Sequence, residues 1–268
     1  DSVASRGLGD VYKRQTVKLG FIQFTKLGQG FKELKKSKRD ATNGLVTPLE
    51  AFYTSLAAQI GTGNIAGVAA AIMLGGSGSI FWMWVSGFLG MAIIYSETVL
   101  AILYREKKGD DYFGGPAYYL SRGIKNKALG KFLAAVFAIF IIIALAFAGN
   151  MVQSNSVASV IESSFNIAPV YTGAFIAVLL SFIIIGGAKS IAKVATKVVP
   201  FMIAMFLIHG LVILLKYSAN IGPVFKSIFA NAFTWKAAAG GAGGFSIKEA
   251  VKHGMARGLF SNEAGMGS

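Results

Sequence analysis

Four consecutive residues, Gly61-Thr62-Gly63-Asn64, interrupt an otherwise apolar run that reads LAAQIGTGNIAGVAAAIMLGG. Glycine in a helix interior costs about 1 kcal/mol relative to alanine. Two glycines bracketing a threonine therefore mark a place where a helix is expected to break. Inside hydrocarbon, the N–H and C=O groups freed by a break must find partners in protein, water or a ligand. The two half-helix ends then offer carbonyls to a cation and N–H groups to a carboxylate. Thr62 and Asn64 add a hydroxyl and an amide, oxygen ligands suited to sodium. The same small residues, with Gly67, Ala70 and Ala71, would also serve close helix packing. Pattern alone divides evenly between the two readings, and the polar pair Thr62 and Asn64 favours a site.

Three other groups of residues carry chemistry. The stretch GMARGLFSNEAGMGS is a second polar, glycine-rich interruption. Discontinuous segments at matching places in two halves of a chain point to a transport site; a loop helix capped by Ser261 or Asn262 is the alternative. Asn150 and Gln153 stand three apart and so share a helix face, with Asn155 nearby. Their amides can donate to a carboxylate and accept from an ammonium, or simply hydrate an outer helix end. Glu97 is the acid well inside an apolar stretch, where a carboxylate must be paired, face water or snorkel. His209 reads as a satisfied, packed histidine rather than a proton relay.

The elements that must position these residues are membrane spans. Of 268 residues 54% are hydrophobic and 14% charged, with mean hydropathy +0.59. A soluble domain carries about a quarter charged residues, so the class is an all-α, polytopic membrane protein. Blocks of about 20 apolar residues cross a hydrocarbon core of roughly 30 Å as helices. Five stand out: Leu49 to Leu74, Ser79 to Tyr104, Leu129 to about Gly149, Val170 to Gly186, and Ile191 to Leu215. Beyond Gly149 the sequence NMVQSNSVASVI stays helix-forming but turns polar, as in a helix that leaves the bilayer or lines a cavity. Residues 1–15, DSVASRGLGDVYKRQ, resemble translated adaptor sequence. Residues 16–48 form a basic cytoplasmic segment, 49–215 hold the five spans, and 216–268 are an external loop followed by the start of a second repeat. The chain reads as a fragment truncated at both ends.

Charge sets the orientation. Residues 105–131 hold seven Lys or Arg against three acids; Lys189 falls between spans four and five, and Lys193 and Lys197 follow at the start of the fifth. The gap between spans one and two is uncharged, and 150–169 hold only Glu162. Alternate gaps are basic, so the segment before span one and the gaps after spans two and four face the cytoplasm. The net charge of +14 belongs to this bias rather than to nucleic acid, since the basic stretch lacks the aromatic ladder that stacks bases. The absence of cysteine excludes disulfides and thiolate metal sites. An intramembrane enzyme would need paired acids, a Ser–His pair or a metal-spaced cluster, and none is visible.

The motifs GTGNIAGVAAAI, FWMWVSGFLGM, GGPAYYL, AGNMVQSNSVA and ARGLFSNEAGMGS together resemble the alanine or glycine:cation symporter family. The resemblance runs from about Thr16 to Ser268. It implies a LeuT-like inverted-repeat fold, with the first repeat and the start of the second in this chain, in the cell (inner) membrane and as a monomer. It further implies sodium-coupled symport of a small neutral amino acid, alanine or glycine, with no cofactor besides sodium as coupling ion. Proton coupling on the same fold, or a channel with a carbonyl-lined filter, are the alternatives. The substrate residues carried over are Thr62, Gly63, Asn64, Gly149, Gln153, Leu259, Phe260 and Ser261; those for the cation are Gly61, Thr62, Asn64 and Asn262. Where this family usually reads GGPG, the chain has Gly75-Gly76-Ser77-Gly78, which is expected to alter the outer turn more than the site.

Overall fold

The computed structural model describes residues 14–36, 47–109, 111–233 and 247–267. Nearly all of the adaptor-like segment lies outside these residues, as do 37–46 of the basic segment and 234–246 of the expected external loop. A helix α1 (Leu27–Lys36) precedes the first span. Helices stand at all five places where spans are expected.

The first span is broken. Helix α2 (Pro48–Gln59) starts with proline in its first turn and a capping box: Thr47 Oγ1 accepts from Glu50 N at 3.2 Å, and Thr47 N donates to Glu50 Oε2 at 2.8 Å. Such reciprocal bonds satisfy two of the N–H groups a helix start leaves open. After Gln59 the chain makes one 3₁₀ turn, Thr62–Asn64, and restarts as α3 (Ala66–Gly75). The two halves are bent by 62°.

The remaining spans are longer. Helix α4 (Gly78–Leu103) is followed by a short antiparallel hairpin, β1 (Glu106–Lys108) with β2 (Asp111–Phe113), and by α5 (Pro116–Gly123). Then α6 (Lys127–Ile142), a π-helical stretch (Ile143–Gly149) and α7 (Asn150–Phe165) form one continuous run of 39 helical residues. The polar sequence after Gly149 thus extends the third span as a helix. Helix α8 (Pro169–Ile185) has 17 residues, and α9 (Gly187–Lys216) has 30 with Pro200 inside. Among the described residues three helices are long and apolar enough to cross a membrane, or four with the bent pair taken as one span. Within the expected external loop a helix α10 (Ile221–Ala232) forms, and α11 (Ile247–Asn262) carries the second interruption at its end.

The chain divides into two compact units. One comprises Asp1–Gly28, Phe88–Ile176 and Glu263–Ser268; the other Gln29–Gly87 and Ala177–Asn262. Small residues dominate the buried positions, including Ala71, Ala92, Ala134, Ala192, Ser79 and Ser86, while Ile185 is 83% and Val170 77% exposed. That distribution suits lipid as solvent, where helices associate through close backbone approach rather than through large apolar side chains.

The second unit shows how this works. Helix α2 packs along α9, and α3 along α11. A stripe of Ala250, Gly254 and Gly258 on α11 is buried. A Cβ at Gly254 would stand 2.4 Å from the Ser79 carbonyl oxygen, and one at Gly258 2.6 Å from Ser86 Cβ. The glycines therefore set the distance at which α11 meets the first half of α4. Helix α10 closes against the same region: Trp82 Nε1 donates to the Ala232 carbonyl at 3.1 Å, and Phe81 packs edge-on to Phe229 and Phe233. Ser77, at the place of the family's proline, shares a hydrogen bond of 2.9 Å with Ser227 Oγ and accepts from Asn231 Nδ2 at 2.8 Å. A proline there could make neither bond.

Candidate functional site

The break is built from residues that hold it open. Ile60 and Gly61 are extended, with φ of −93° and −133°. Neither Gly61, Gly63 nor Gly67 has a positive φ, so backbone conformation does not demand glycine at these positions. At Gly63 and Gly67 space does. A Cβ at Gly63 would lie 2.3 Å from Arg257 Nη2, and one at Gly67 2.1 Å from Arg257 Nη1. The guanidinium of Arg257, from α11, thus rests against the start of α3.

Asn64 links the break to α11. Its Nδ2 donates to the Gln59 carbonyl at 2.7 Å, capturing one of the acceptors that the end of α2 leaves open. Its Oδ1 accepts from Ser261 Oγ at 2.6 Å. Ser261 Oγ in turn accepts from Arg257 Nη2 at 3.4 Å. A chain of hydrogen bonds therefore runs from Arg257 through Ser261 and Asn64 to the last residue of α2. Because an amide oxygen has two lone pairs, Asn64 Oδ1 retains capacity for a second partner. Beside this chain lies a cavity of about 390 Å³, lined among others by Gln59, Asn64, Trp84, Gly258, Ser261 and Asn262. Its size falls in the range of small-molecule sites.

The other expected residues are divided between the two units. Thr62 and Gly63 form the 3₁₀ turn with Asn64. Asn262 ends α11, and its amide lies 3.5 Å from where a Cβ on Gly87 would be. Ser261 and Asn262 therefore do not cap the start of a loop helix; they end one. Phe260 is 55% exposed and its ring lies under Arg257, 4.6 Å from Cζ to centroid. Leu259 occupies the intervening half-buried position. Gly149 and Gln153 belong to the first unit, where Gly149 closes the π-helical stretch and Gln153 lies in the first turn of α7. π-Helical turns recur at functional sites.

In the first unit Glu97 is engaged rather than isolated. Its carboxylate accepts from Gly265 N at 3.2 Å. Glu263, Gly265 and Gly267 all have positive φ, of 52°, 96° and 67°. Alternating backbone of this kind turns N–H groups toward a common anion. Tyr119, on α5, has its phenol raised above the ordinary value by burial first and the Glu97 charge second. His209 Nδ1 donates to the Met205 carbonyl of its own helix at 2.7 Å. It is satisfied, though exposed rather than packed.

The guanidinium of Arg257 is charged at neutral pH. Among the described residues no cluster of three or more His, Cys, Asp or Glu is placed to hold a metal ion. The oxygens grouped at the break are carbonyl, hydroxyl and amide, which suit a monovalent hard cation more than a transition metal.

A family model for the sodium:alanine symporter family matches residues 11–268. The chain belongs to the sodium:alanine symporter family. A sodium/alanine symporter of Methanococcus maripaludis is 45% identical over 94% of this chain and 55% of its own length. An uncharacterized transporter of Escherichia coli is 41% identical over 94% of the chain and 52% of its own. A probable sodium/glutamine symporter of Bacillus subtilis is 36% identical over 94% and 51%. The chain spans about half the length of the curated relatives it matches.

Two participants escaped sequence reasoning. Gln59 enters through its backbone carbonyl, which no side-chain pattern reports. Arg257 reads in sequence as one more basic residue; its spacing of four from Ser261 was the available signal, since residues four apart share a helix face.

Proposed function

We propose that the full-length protein is a sodium-coupled symporter of a small neutral amino acid, alanine or glycine, in the cell (inner) membrane. The observation that carries this is the broken span whose Asn64 is hydrogen-bonded to Ser261, so that the two interruptions of the sequence meet at one cavity. Family membership supports sodium and an amino acid as the pair moved, and the printed name of the Methanococcus relative supports alanine. In this reading the carbonyls at the end of α2, with Thr62 and Asn64, take the cation. The N–H groups at the start of α3 take the substrate's carboxylate, the carbonyls at the end of α11 its ammonium, and the family resemblance adds Gln153 of the third span. The arrangement fits a LeuT-like inverted repeat, of which this chain would supply the first repeat and the opening of the second. The carrier works as a monomer, needs no cofactor and performs no covalent chemistry.

Uptake of labelled alanine and glycine by the full-length protein in proteoliposomes tests this, with sodium replaced by choline at fixed pH. Uptake should be saturable and fall to background without sodium. Uptake indifferent to sodium but driven by a proton gradient would move the coupling to protons; non-saturable flux would indicate a channel.

A further inference from the structure

We propose that the hairpin β1–β2 holds the headgroup of an anionic phospholipid of the cytoplasmic leaflet, through Arg105 and Lys107. The inference stands apart from the symport reading, since it concerns the end of the second span and not what is carried. Three observations support it. First, the hairpin sorts its charges by face. Successive residues of a strand point to opposite sides, so Arg105, just before β1, and Lys107 share one side, and Glu106 and Lys108 the other. The second side is neutralised from within: Glu106 pairs with Lys108 and with Arg122 of α5, and both cations lie over the Tyr118 ring. The first side is not. Arg105 and Lys107 stand 4.6 and 6.0 Å from the centroid of the Tyr112 ring, and among the described residues neither has a carboxylate partner.

Second, the unpaired side begins where lipid contact ends. Helix α4 finishes at Leu103, and both Ile102 and Leu103 are exposed, as suits side chains that acyl chains cover. Arg105 follows two residues later, which sets the two cations at headgroup depth. Third, Tyr112 is itself exposed, and a tyrosine ring is at home in the membrane interface. It carries the two cations on its face and keeps them side by side. A guanidinium meets a phosphate through two parallel N–H bonds, and the lysine adds a compact charge. The acyl chains of the same molecule would run along Ile102 and Leu103. A free phosphate would satisfy the cations but leave those apolar residues uncovered. A zwitterionic lipid would bring its own ammonium toward the pair and lose most of the attraction. An anionic phospholipid fits both halves of the surface.

The test titrates phosphatidylglycerol, with phosphatidylcholine as reference, into the full-length protein in a neutral detergent and counts bound lipid by native mass spectrometry. The wild type should bind phosphatidylglycerol in preference to phosphatidylcholine. Each charge near a membrane surface is worth about fivefold. Lys107→Gln, which spares the ladder of the hairpin, should therefore weaken phosphatidylglycerol by about fivefold, and Arg105→Gln with Lys107→Gln by about 10- to 30-fold. Phosphatidylcholine should be unaffected in both. The paired control Lys193→Gln with Lys197→Gln removes two exposed lysines of α9 and should leave the preference intact. An equal loss in the control would mean a diffuse effect of net charge and overturns the proposal. So does a wild type without preference, or an unchanged affinity in Lys107→Gln. Displacement of the lipid by an excess of inorganic phosphate would show that the site reads the anion alone, and it removes the lipid as occupant. None of these outcomes depends on sodium or amino-acid uptake, so the symport reading stands or falls separately.

Discussion

A methyl group at Gly67 would lie 2.1 Å from Arg257 Nη1, the free end of a flexible side chain. The chain can therefore keep its fold by swinging the guanidinium away. Gly67→Ala is expected to displace the guanidinium and lower apparent alanine affinity, Arg257→Met to do the same, and the double variant to lose little more. Affinities of the four proteins would give a coupling of about 0.5–3 kcal/mol; simple additivity would separate the two residues. Asn64 differs, since it satisfies backbone and side chain at once. Asn64→Ala removes two hydrogen bonds worth about 1 kcal/mol each, and should lower thermal stability together with apparent affinity for both sodium and substrate. Unchanged affinities would take Asn64 out of the site. Tyr119 gives a pH signature. Its raised value means the folded protein holds the phenolic proton more tightly than the unfolded chain, whose value is about 10. The stability linked to it is intact below that pH and is lost as pH rises through the folded value. Tyr119→Phe should therefore flatten the alkaline decline of the melting temperature. At this scale Thr62 and Asn64 were legible because a polar residue in an apolar run stands out. Arg257 was not, because its meaning depends on two glycines nearly 200 residues earlier.

The third span contains an element with a mechanical consequence. The π-helical stretch Ile143–Gly149 places one extra residue in a helical run, so α7 is turned relative to its course in an unbroken α-helix. Inserting one alanine between Gly149 and Asn150, beyond the π-helical turn, should rotate Asn150–Phe165 by about 100°. Gln153 would then face elsewhere, and uptake should be lost while expression and helicity persist; retained uptake would disconnect that face of α7 from transport. This stretch was invisible in the sequence, because IALAFAG is uniformly apolar and carries no residue that breaks the α pattern. Its polar continuation was legible, and α7 extends the helix to Phe165. Helix α10 was missed for a different reason. At 12 residues it is too short to register as a span, and its hydrogen bond to Trp82 comes from a position 150 residues away. Trp82→Phe should leave the Ala232 carbonyl without that donor and cost about 1 kcal/mol, read as a lower melting temperature.

For the whole molecule the basic gaps set an orientation that the helix order alone does not. The absence of cysteine makes single-cysteine labelling clean. Introduced at Glu162 or Lys226, a cysteine should react with a membrane-impermeant maleimide added to intact cells; at Lys127 or Lys193 it should react only after permeabilisation. The reverse pattern would invert the topology. The hydrogen bond from Ser261 to Asn64 joins residues 197 apart in sequence, which bears on how the chain is made. At about 5–20 residues per second, the broken span emerges from the ribosome about 10–40 s before the helix that completes it. During that interval the ends at Gln59 and Ala66 must be served by water, lipid headgroups or the insertion machinery. Its entry into the membrane should thus be the slow, chaperone-dependent step of biogenesis, and a stalled ribosome just short of Arg257 should leave Pro48–Gly75 accessible to protease.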